Sequence, residues 1–432
     1  VNITKSLKTI TQCRVCGNKK LIPCIDIGAQ YLSSIFPTDL NYKKDLKPIP
    51  LDIVLCEKED GRGGYRDEHC GLLQLVHEND LSEMYNHYPY TSSSNTSMNK
   101  ILQDVAESGK ALGLLEPGDL ICDIGCNDGT LLNFFTDKDN SYDLLGIDPA
   151  RNIKSNVQST RFHRVTNYFT AQNFENATEG KACKKAKLIF SVAMFYHLSD
   201  PVTFARDIEK SLADDGVAII QMAYLPAMIK TNMYDNIVHE HVGYYGTHHM
   251  KWIMERVGLE IFDVLENDVY GGSFRVFLKK KNNTQLKATP RLKKNLEAEM
   301  EWGIYKTQTY LNYMKSIEKT KKDLLELCKQ IKKEGKSIWV YGASTKGNTI
   351  MQYCGIGPET VDAAADSNSF KFNKYLIGSD IPIRDEAALR AAKPDYLLAL
   401  PYSFVEGFKK RETELVAGGT RFIVPLPQVH VV

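Results

Sequence analysis

Apolar and polar positions divide the chain into three blocks. Up to about Asn95 the apolar runs are short and broken by turn residues and cysteine pairs. From about Thr96 to Lys281, compact apolar runs (LICDIGC, DLLGID, AKLIFSV and GVAIIQM) alternate with stretches of helical pattern. Short unbroken apolar runs suit strands buried on both faces, and their interleaving with helices predicts a parallel sheet. Pro290 to Lys333 holds almost no helix breaker apart from Gly303, which predicts one long helix or a helical hairpin. The alternation then restarts, with SIWVYGAS, TVDAAADSN, DYLLALP and RFIVPLP as strands. The two α/β blocks carry different glycine loops and show no internal repeat. An α/β fold is expected, with domains at 1–95, 96–285 and 286–432, the last including the helical linker.

Composition narrows the function classes. The 432 residues accommodate two to four domains. Lys and Arg number 54 and Asp and Glu 53, for a net charge of +1, so no broad field draws nucleic acid or an anionic membrane. No apolar run approaches the ~20 residues of a membrane span. The N-terminal stretch VNITKSLKTITQCRVCGN lacks the apolar core of a signal peptide. The expectation is a cytoplasmic protein, a monomer or small homo-oligomer, with neither nucleic acid nor membrane as partner. Ten cysteines are too sparse for a disulfide framework, and in a reducing compartment clustered thiols serve better as metal ligands.

The sharpest motif is Asp123-Ile124-Gly125-Cys126-Asn127-Asp128-Gly129-Thr130, directly after the predicted strand LIC. Its glycines permit a tight turn and close approach of a ligand to the backbone. A dinucleotide site would want G-x-G-x-x-G with a pyrophosphate at the helix N-terminus. Asp123 and Asp128 would repel a pyrophosphate but suit a ligand with an ammonium group and no phosphate, such as S-adenosylmethionine. The second strand ends in Gly146-Ile147-Asp148, where an acid can accept hydrogen bonds from ribose hydroxyls. Asp123, Gly125, Asn127, Asp128 and Asp148 are therefore the candidate cofactor ligands.

Cys13-Arg14-Val15-Cys16-Gly17 is half of a zinc knuckle, in which C-x2-C turns both thiolates toward one metal. Cys56 and Cys70 are the best partners, with Cys24 and His69 as alternatives. Four thiolates would fill a tetrahedral Zn²⁺ and make the site structural. His239-Glu240-His241 is not H-E-x-x-H. One of its histidines can serve as a general base near neutral pH, with the carboxylate orienting a partner or substrate. Tyr341 to Asn348, YGASTKGN, is not a P-loop. Gly342, Ser344, Lys346 and Asn348 still offer a turn, a hydroxyl, a cation and an amide at a helix N-terminus, a set suited to a diphosphate. The following strand ends in Asp366-Ser367-Asn368, where a ribose or sugar would sit.

The ordered set C-x2-C, CGLLQL, MYNHYPYTSS, DIGCNDGTLL, DNIVHEHVGYY, YGGSFR, YGASTKGNT and GGTRFIVPLPQV resembles the sugar C-methyltransferases of deoxysugar and surface-polysaccharide pathways, over nearly the whole chain. The resemblance implies a small N-terminal zinc-binding domain, a central class I methyltransferase domain of Rossmann-like fold that binds S-adenosylmethionine, and a second Rossmann-like C-terminal domain. It implies as substrate a nucleotide-linked 4-keto-6-deoxysugar, often dTDP-linked, methylated beside the ketone. It carries over His241 as the base, Glu240 as a sugar contact or support for that base, and Tyr88 and Tyr90 as sugar contacts from the N-terminal domain. Two departures stand out. Val238 occupies a position where the better-known sugar C-3 enzymes have tyrosine, so Tyr244 or Tyr245 would have to supply the hydroxyl. Between Cys56 and Cys70 lies EKEDGRGGYRDEH in place of a second C-x2-C.

Other readings are an O-methyltransferase or one acting on another sugar carbon, a two-domain NAD(P) oxidoreductase, and a zinc-bearing nucleic-acid-binding module. The absence of G-x-G-x-x-G weighs against the oxidoreductase. Neutral charge and the lack of a basic, aromatic-interleaved stripe weigh against the nucleic-acid module.

Overall fold

The computed structural model describes residues 7–80, 82–88 and 90–432. The first six residues of the N-terminal stretch read above lie outside them. Three main sheets form, one per block of the sequence pattern. In the central sheet the strand order is Leu259–Asn267, Ser273–Lys280, Leu212–Ala223, Ala186–Val192, Leu120–Ile124, Asp143–Ile147, Phe162–Val165. Ser273–Lys280 runs antiparallel to both neighbours, and the remaining pairings are parallel. This is the class I methyltransferase arrangement. Leu120–Ile124 and Asp143–Ile147 are buried at every position, as their unbroken apolar runs require. The chain order reverses beside Leu120–Ile124, so the crevice of the sheet opens at the carboxyl ends of its strands.

The C-terminal sheet places Ile338–Tyr341 at its centre, parallel to Ala363–Ala365 and Tyr396–Ala399, with antiparallel strands at both edges. The N-terminal sheet is antiparallel, in the order Gly243–Tyr244, Leu73–Leu75, Ile49–Cys56, Leu21–Gln30. Its outermost strand follows the HEH motif and belongs in sequence to the central block.

The predicted linker is a pair of helices, Pro290–Trp302 and Thr307–Lys333. Gly303 breaks them at φ 88°, a left-handed conformation that glycine adopts without a Cβ penalty. The second helix buries Tyr310, Tyr313, Ile317, Thr320, Leu324, Cys328 and Ile331, one face at helical spacing. That face belongs to a hydrophobic core shared by Ile25 and Ile27 of the N-terminal sheet, Met228 and Tyr234 of the central block, and Val340 and Ile350 of the C-terminal block. Polar contacts add to the docking. Gln352 Oε1 accepts from Tyr31 N–H at 2.8 Å, and Tyr42 Oη donates to Asp380 at 2.6 Å. Among the described residues no helix is long and apolar enough to cross a membrane.

Candidate active site and metal centre

The strand Leu120–Ile124 delivers Asp123 and then Gly125 to the crevice. Gly125 has φ 74°, and its N–H donates to Ile147 O at 2.8 Å, tying the loop to the next strand. Asp148 ends that strand, 8% exposed, and accepts from the backbone N–H of Asn127 at 2.9 Å and of Ala150 at 2.8 Å. Each carboxylate oxygen has further lone-pair capacity for a ribose hydroxyl. Burial pushes the Asp123 carboxyl well above its ordinary range, with the charges of Asp148 and Asp128 adding to it. Arg164 Nη2 lies 3.8 Å from Asp148 and offsets part of this charge, and the remaining cluster of buried acids favours a cationic ligand, which fits the ammonium and sulfonium of S-adenosylmethionine.

Asn127 lines the cavity as expected and also holds the segment above it, whereas Asp128 departs from the sequence expectation. The Asn127 side chain donates to Tyr90 O at 3.0 Å and accepts from Ser92 N–H at 2.9 Å, clamping the YPYTSS segment over the loop. Asp128 accepts from Thr130 Oγ1 at 2.6 Å and Ser93 N–H at 3.0 Å. It does not line the cavity, because it holds the turn together.

A cavity of about 640 Å³ opens beside this loop. Asp123 to Asn127 and Ile147 to Pro149 line it from the strand ends, and Tyr85, Tyr88 and Tyr90 line it from the N-terminal region, with Tyr90 held against the loop by Asn127. Between them stand Met194, His197, Glu240 and Val242. The volume is ample for a cofactor with part of an acceptor.

The HEH segment divides its side chains. Glu240 reaches the cavity wall, and burial raises its carboxyl against the lowering effects of Ser34 and Lys346. His239 points away and hydrogen-bonds Ile49 O through Nε2 at 3.0 Å. His241 is 6% exposed and lies behind the wall, with Nδ1 on Asn236 O at 2.8 Å. A carbonyl partner requires the proton on Nδ1, which leaves Nε2 with a lone pair. The His241 ring stacks on His197 at 5.3 Å and packs on Tyr196 at 4.3 Å. His197 is the imidazole on the cavity wall. Burial, aided by the charge of Lys346, pushes it down to about 3. Burial likewise drives His241 well below its ordinary value, with His197 and Lys346 adding. Both surroundings favour the neutral ring.

Tyr244 and Tyr245 do not reach the large cavity. With His241, Asn236 and Tyr224 they line a void of about 10 Å³. Both are buried because the chain here adds a strand to the N-terminal sheet, which turns their rings into the domain junction.

The loop after Ile338–Tyr341 also departs from expectation. Ser344 caps the helix Thr345–Cys354, accepting from Gly347 N–H at 3.0 Å. Asn348 is fully buried and donates to Ile377 O at 3.1 Å. Gly342, φ 81°, passes so close to Pro401 that a Cβ would meet its ring at 2.6 Å. Asp366 is engaged by Lys371 Nζ at 2.9 Å. Lys346 instead faces the central block. Burial lowers its ammonium, Asp235 and Glu240 raise it, and its charge reaches His197 and His241. Of the four residues expected around a diphosphate, Ser344 and Asn348 hold structure within their own domain, and Lys346 belongs with the HEH cluster.

The four cysteines meet. The Sγ atoms of Cys13, Cys16, Cys56 and Cys70 all lie within 4.8 Å of one another, with Cys13–Cys70 at 3.4 Å and Cys16–Cys56 at 3.5 Å. A tetrahedral Zn²⁺ with Zn–S near 2.3 Å requires S···S separations of about 3.8 Å, so the set fits. Gln74 Nε2 donates to Cys13 Sγ at 3.1 Å while its Oε1 accepts from Arg14 N–H at 3.0 Å, bracing the knuckle from the strand Leu73–Leu75. The alternative ligands are placed elsewhere. Cys24 sits in the core around Ile25, and His69 Nδ1 bonds Glu57 O at 2.8 Å.

Sequence reasoning missed His197 and the inward course of Lys346. His197 follows the strand Ala186–Val192, adjacent in the sheet to the cofactor strand, and a histidine at that strand's carboxyl end was the available signal.

Comparison with known proteins agrees with this architecture. A zinc binding domain family matches residues 13–85, a methyltransferase domain family residues 98–264, and a C-methyltransferase C-terminal domain family residues 268–427. The chain is 28% identical over 427 residues to the C-methyltransferase NovU of Streptomyces niveus, covering 99% of this chain and 98% of that protein. Among solved structures, the plantazolicin methyltransferase BpumL in complex with SAH is 12% identical, with a TM-score of 0.34, over 46% of this chain and 94% of that one. A SAM-dependent methyltransferase from Anabaena variabilis is also 12% identical, with a TM-score of 0.33, over 42% of this chain and 86% of that one. The three matched domains follow one another along the chain, zinc-binding in front, methyltransferase in the middle and C-methyltransferase C-terminal behind, and together they mark it as an S-adenosylmethionine-dependent methyltransferase.

Proposed function

We propose that the protein methylates a carbon beside the ketone of a nucleotide-linked 4-keto-6-deoxysugar. The observation that carries this reading is the stacked histidine pair, His197 on the wall of the cavity with Glu240 and His241 directly behind it, within reach of the Lys346 charge, in a cavity that the acidic cofactor loop also lines. Carbon becomes nucleophilic when a proton leaves beside a carbonyl, which calls for a neutral base and a positive charge near the enolate oxygen. S-adenosylmethionine, held by Asp123, Gly125 and Asp148, supplies the electrophilic methyl group when bound.

His241 is the base in this reading. Its Nδ1–H is fixed on the Asn236 carbonyl, so Nε2 is the accepting atom, and His197 shields it from water at the cavity wall. Lys346 offsets the negative charge that develops on the acceptor. Tyr88, Tyr90 and Glu240 shape the acceptor end, and the zinc-binding thiolates are Cys13, Cys16, Cys56 and Cys70.

The test is a panel of nucleotide 4-ketosugars incubated with S-adenosylmethionine and read by mass, with product structure locating the methyl group. A product carrying the methyl on oxygen, or no turnover across the panel, overturns the reading. His241→Asn is expected to lower kcat by roughly 10²–10⁴-fold and to abolish solvent deuterium exchange at the reactive carbon. Loss of exchange in His197→Asn but not in His241→Asn would transfer the base to the cavity-wall histidine.

A further inference from the structure

Asn79 lines the reaction cavity from the N-terminal domain. It is 7% exposed, and neither its Oδ1 nor its Nδ2 has a hydrogen-bond partner among the described residues. Buried amides are almost always satisfied, and one with both atoms unpaired is unfavourable for the folded protein alone.

The backbone fixes this amide in place. The preceding strand His77–Glu78 pairs with Lys8–Thr9. Glu78 accepts from Arg14 Nη1 at 3.0 Å and from the hydroxyl of Ser199. On the other side Asp80 Oδ1 accepts from Ser82 N–H at 2.9 Å. The contact with Ser199, two residues beyond His197, puts Asn79 on the histidine side of the cavity. The cofactor loop lines the same cavity from the ends of Leu120–Ile124 and Asp143–Ile147, which leaves the side of His197 and Asn79 to the acceptor.

We infer that Asn79 is a specificity residue for the acceptor. Its carboxamide donates to one oxygen of the ligand through Nδ2 and accepts from a neighbouring hydroxyl through Oδ1, which selects an acceptor bearing that hydroxyl over its deoxy analogue. A site that leaves a buried amide unpaired with the wrong ligand discriminates more sharply than an apolar wall does. The inference rests on the ketosugar reading above and adds to it the residue that reads a sugar hydroxyl.

The experiment compares wild type with Asn79→Leu, of similar volume and without polar atoms, using dTDP-4-keto-6-deoxyglucose and its 2-deoxy and 3-deoxy analogues. Wild type is expected to favour the parent sugar over one analogue by about 10- to 100-fold in kcat/KM. The variant loses that preference, binds S-adenosylhomocysteine as before in calorimetry, and unfolds at the same or a higher temperature without ligand. Asn79→Ala provides the same readouts if the leucine fails to fold. A variant that keeps the preference overturns the inference and leaves the ketosugar reading standing. So does one whose Tm falls while all three sugars slow equally, because Asn79 is then structural. A wild-type enzyme that methylates none of the three overturns the ketosugar reading, and the inference with it.

Discussion

His239 and His241 are two residues apart, yet their partners separate their roles. His239 donates from Nε2 to Ile49 O and is 3% exposed, and burial pushes it down to about 4. In the unfolded chain the same group titrates near 6.5. Between those values the unfolded state binds more protons than the folded state, so stability is lost as pH falls through 6.5 toward 4. His239→Gln keeps an N–H toward Ile49 O and removes the titration. Denaturant unfolding at pH 7.5 and pH 5 is expected to show wild type losing about 1.4 kcal/mol per pH unit relative to this variant once below 6.5. Parallel pH profiles for the two proteins would show that His239 is not buried neutral. Residue identity alone placed HEH at the site, but not which ring faces which way. That orientation depends on Asn236 O and Ile49 O, backbone atoms no motif specifies. That Asp123, Gly125 and Asp148 share one cavity was legible because strand ends and glycine turns are local. Asp128 and Ser344 carry polar groups that the loops themselves consume, which composition cannot distinguish from ligand contacts.

At the level of elements, every strand of the two α/β blocks named from its apolar run is present, because doubly covered strands leave an unambiguous pattern. The helical linker resolved into two successive helices, divided at the glycine that offered the break. Less legible was the two-residue strand Gly243–Tyr244, which pairs with Leu73–Leu75. Leu75 N–H also donates to Val242 O at 3.0 Å. No periodicity reveals a pairing this short and this distant in sequence. Through it the HEH segment is an extension of the sheet whose neighbouring residues carry the cysteine cluster. The cysteine site is therefore expected to steady the HEH segment as well as its own fold. Metal analysis is expected to give about one zinc per chain. Stripping it with chelator should increase amide exchange at Val242 to Tyr245 together with Leu73 to Leu75, before the strands of the C-terminal sheet respond. Exchange confined to the cysteine loops would mean that the paired strands are held independently of the metal.

Across the whole molecule, the central and C-terminal blocks meet around the turn Tyr234–Asn236. Tyr402 Oη donates to Asp235 at 3.2 Å, the Tyr234 and Tyr353 rings meet at 5.5 Å, and Asn232 Nδ2 donates to Thr320 Oγ1 at 2.7 Å. Asp235 is 4% exposed, and burial raises its carboxyl while Lys346 opposes the shift. The helix Thr345–Cys354 thus brings a cation of the C-terminal domain to the acids and histidines of the central one. A nucleotide anchor would bind substrate and transition state alike, so its loss would raise KM and leave kcat unchanged. A cation beside Glu240 and His241 acts on charge that appears only as the proton leaves, so its loss should appear in kcat. Lys346→Met keeps most of the stem and removes the charge. It is expected to lower kcat by roughly 10²–10³-fold on the ketosugar, with S-adenosylhomocysteine affinity unchanged. Lys346→Arg, which restores the charge, should recover part of that loss. A rise in KM alone would return Lys346 to the diphosphate, and an unchanged kcat/KM would remove it from the reaction altogether.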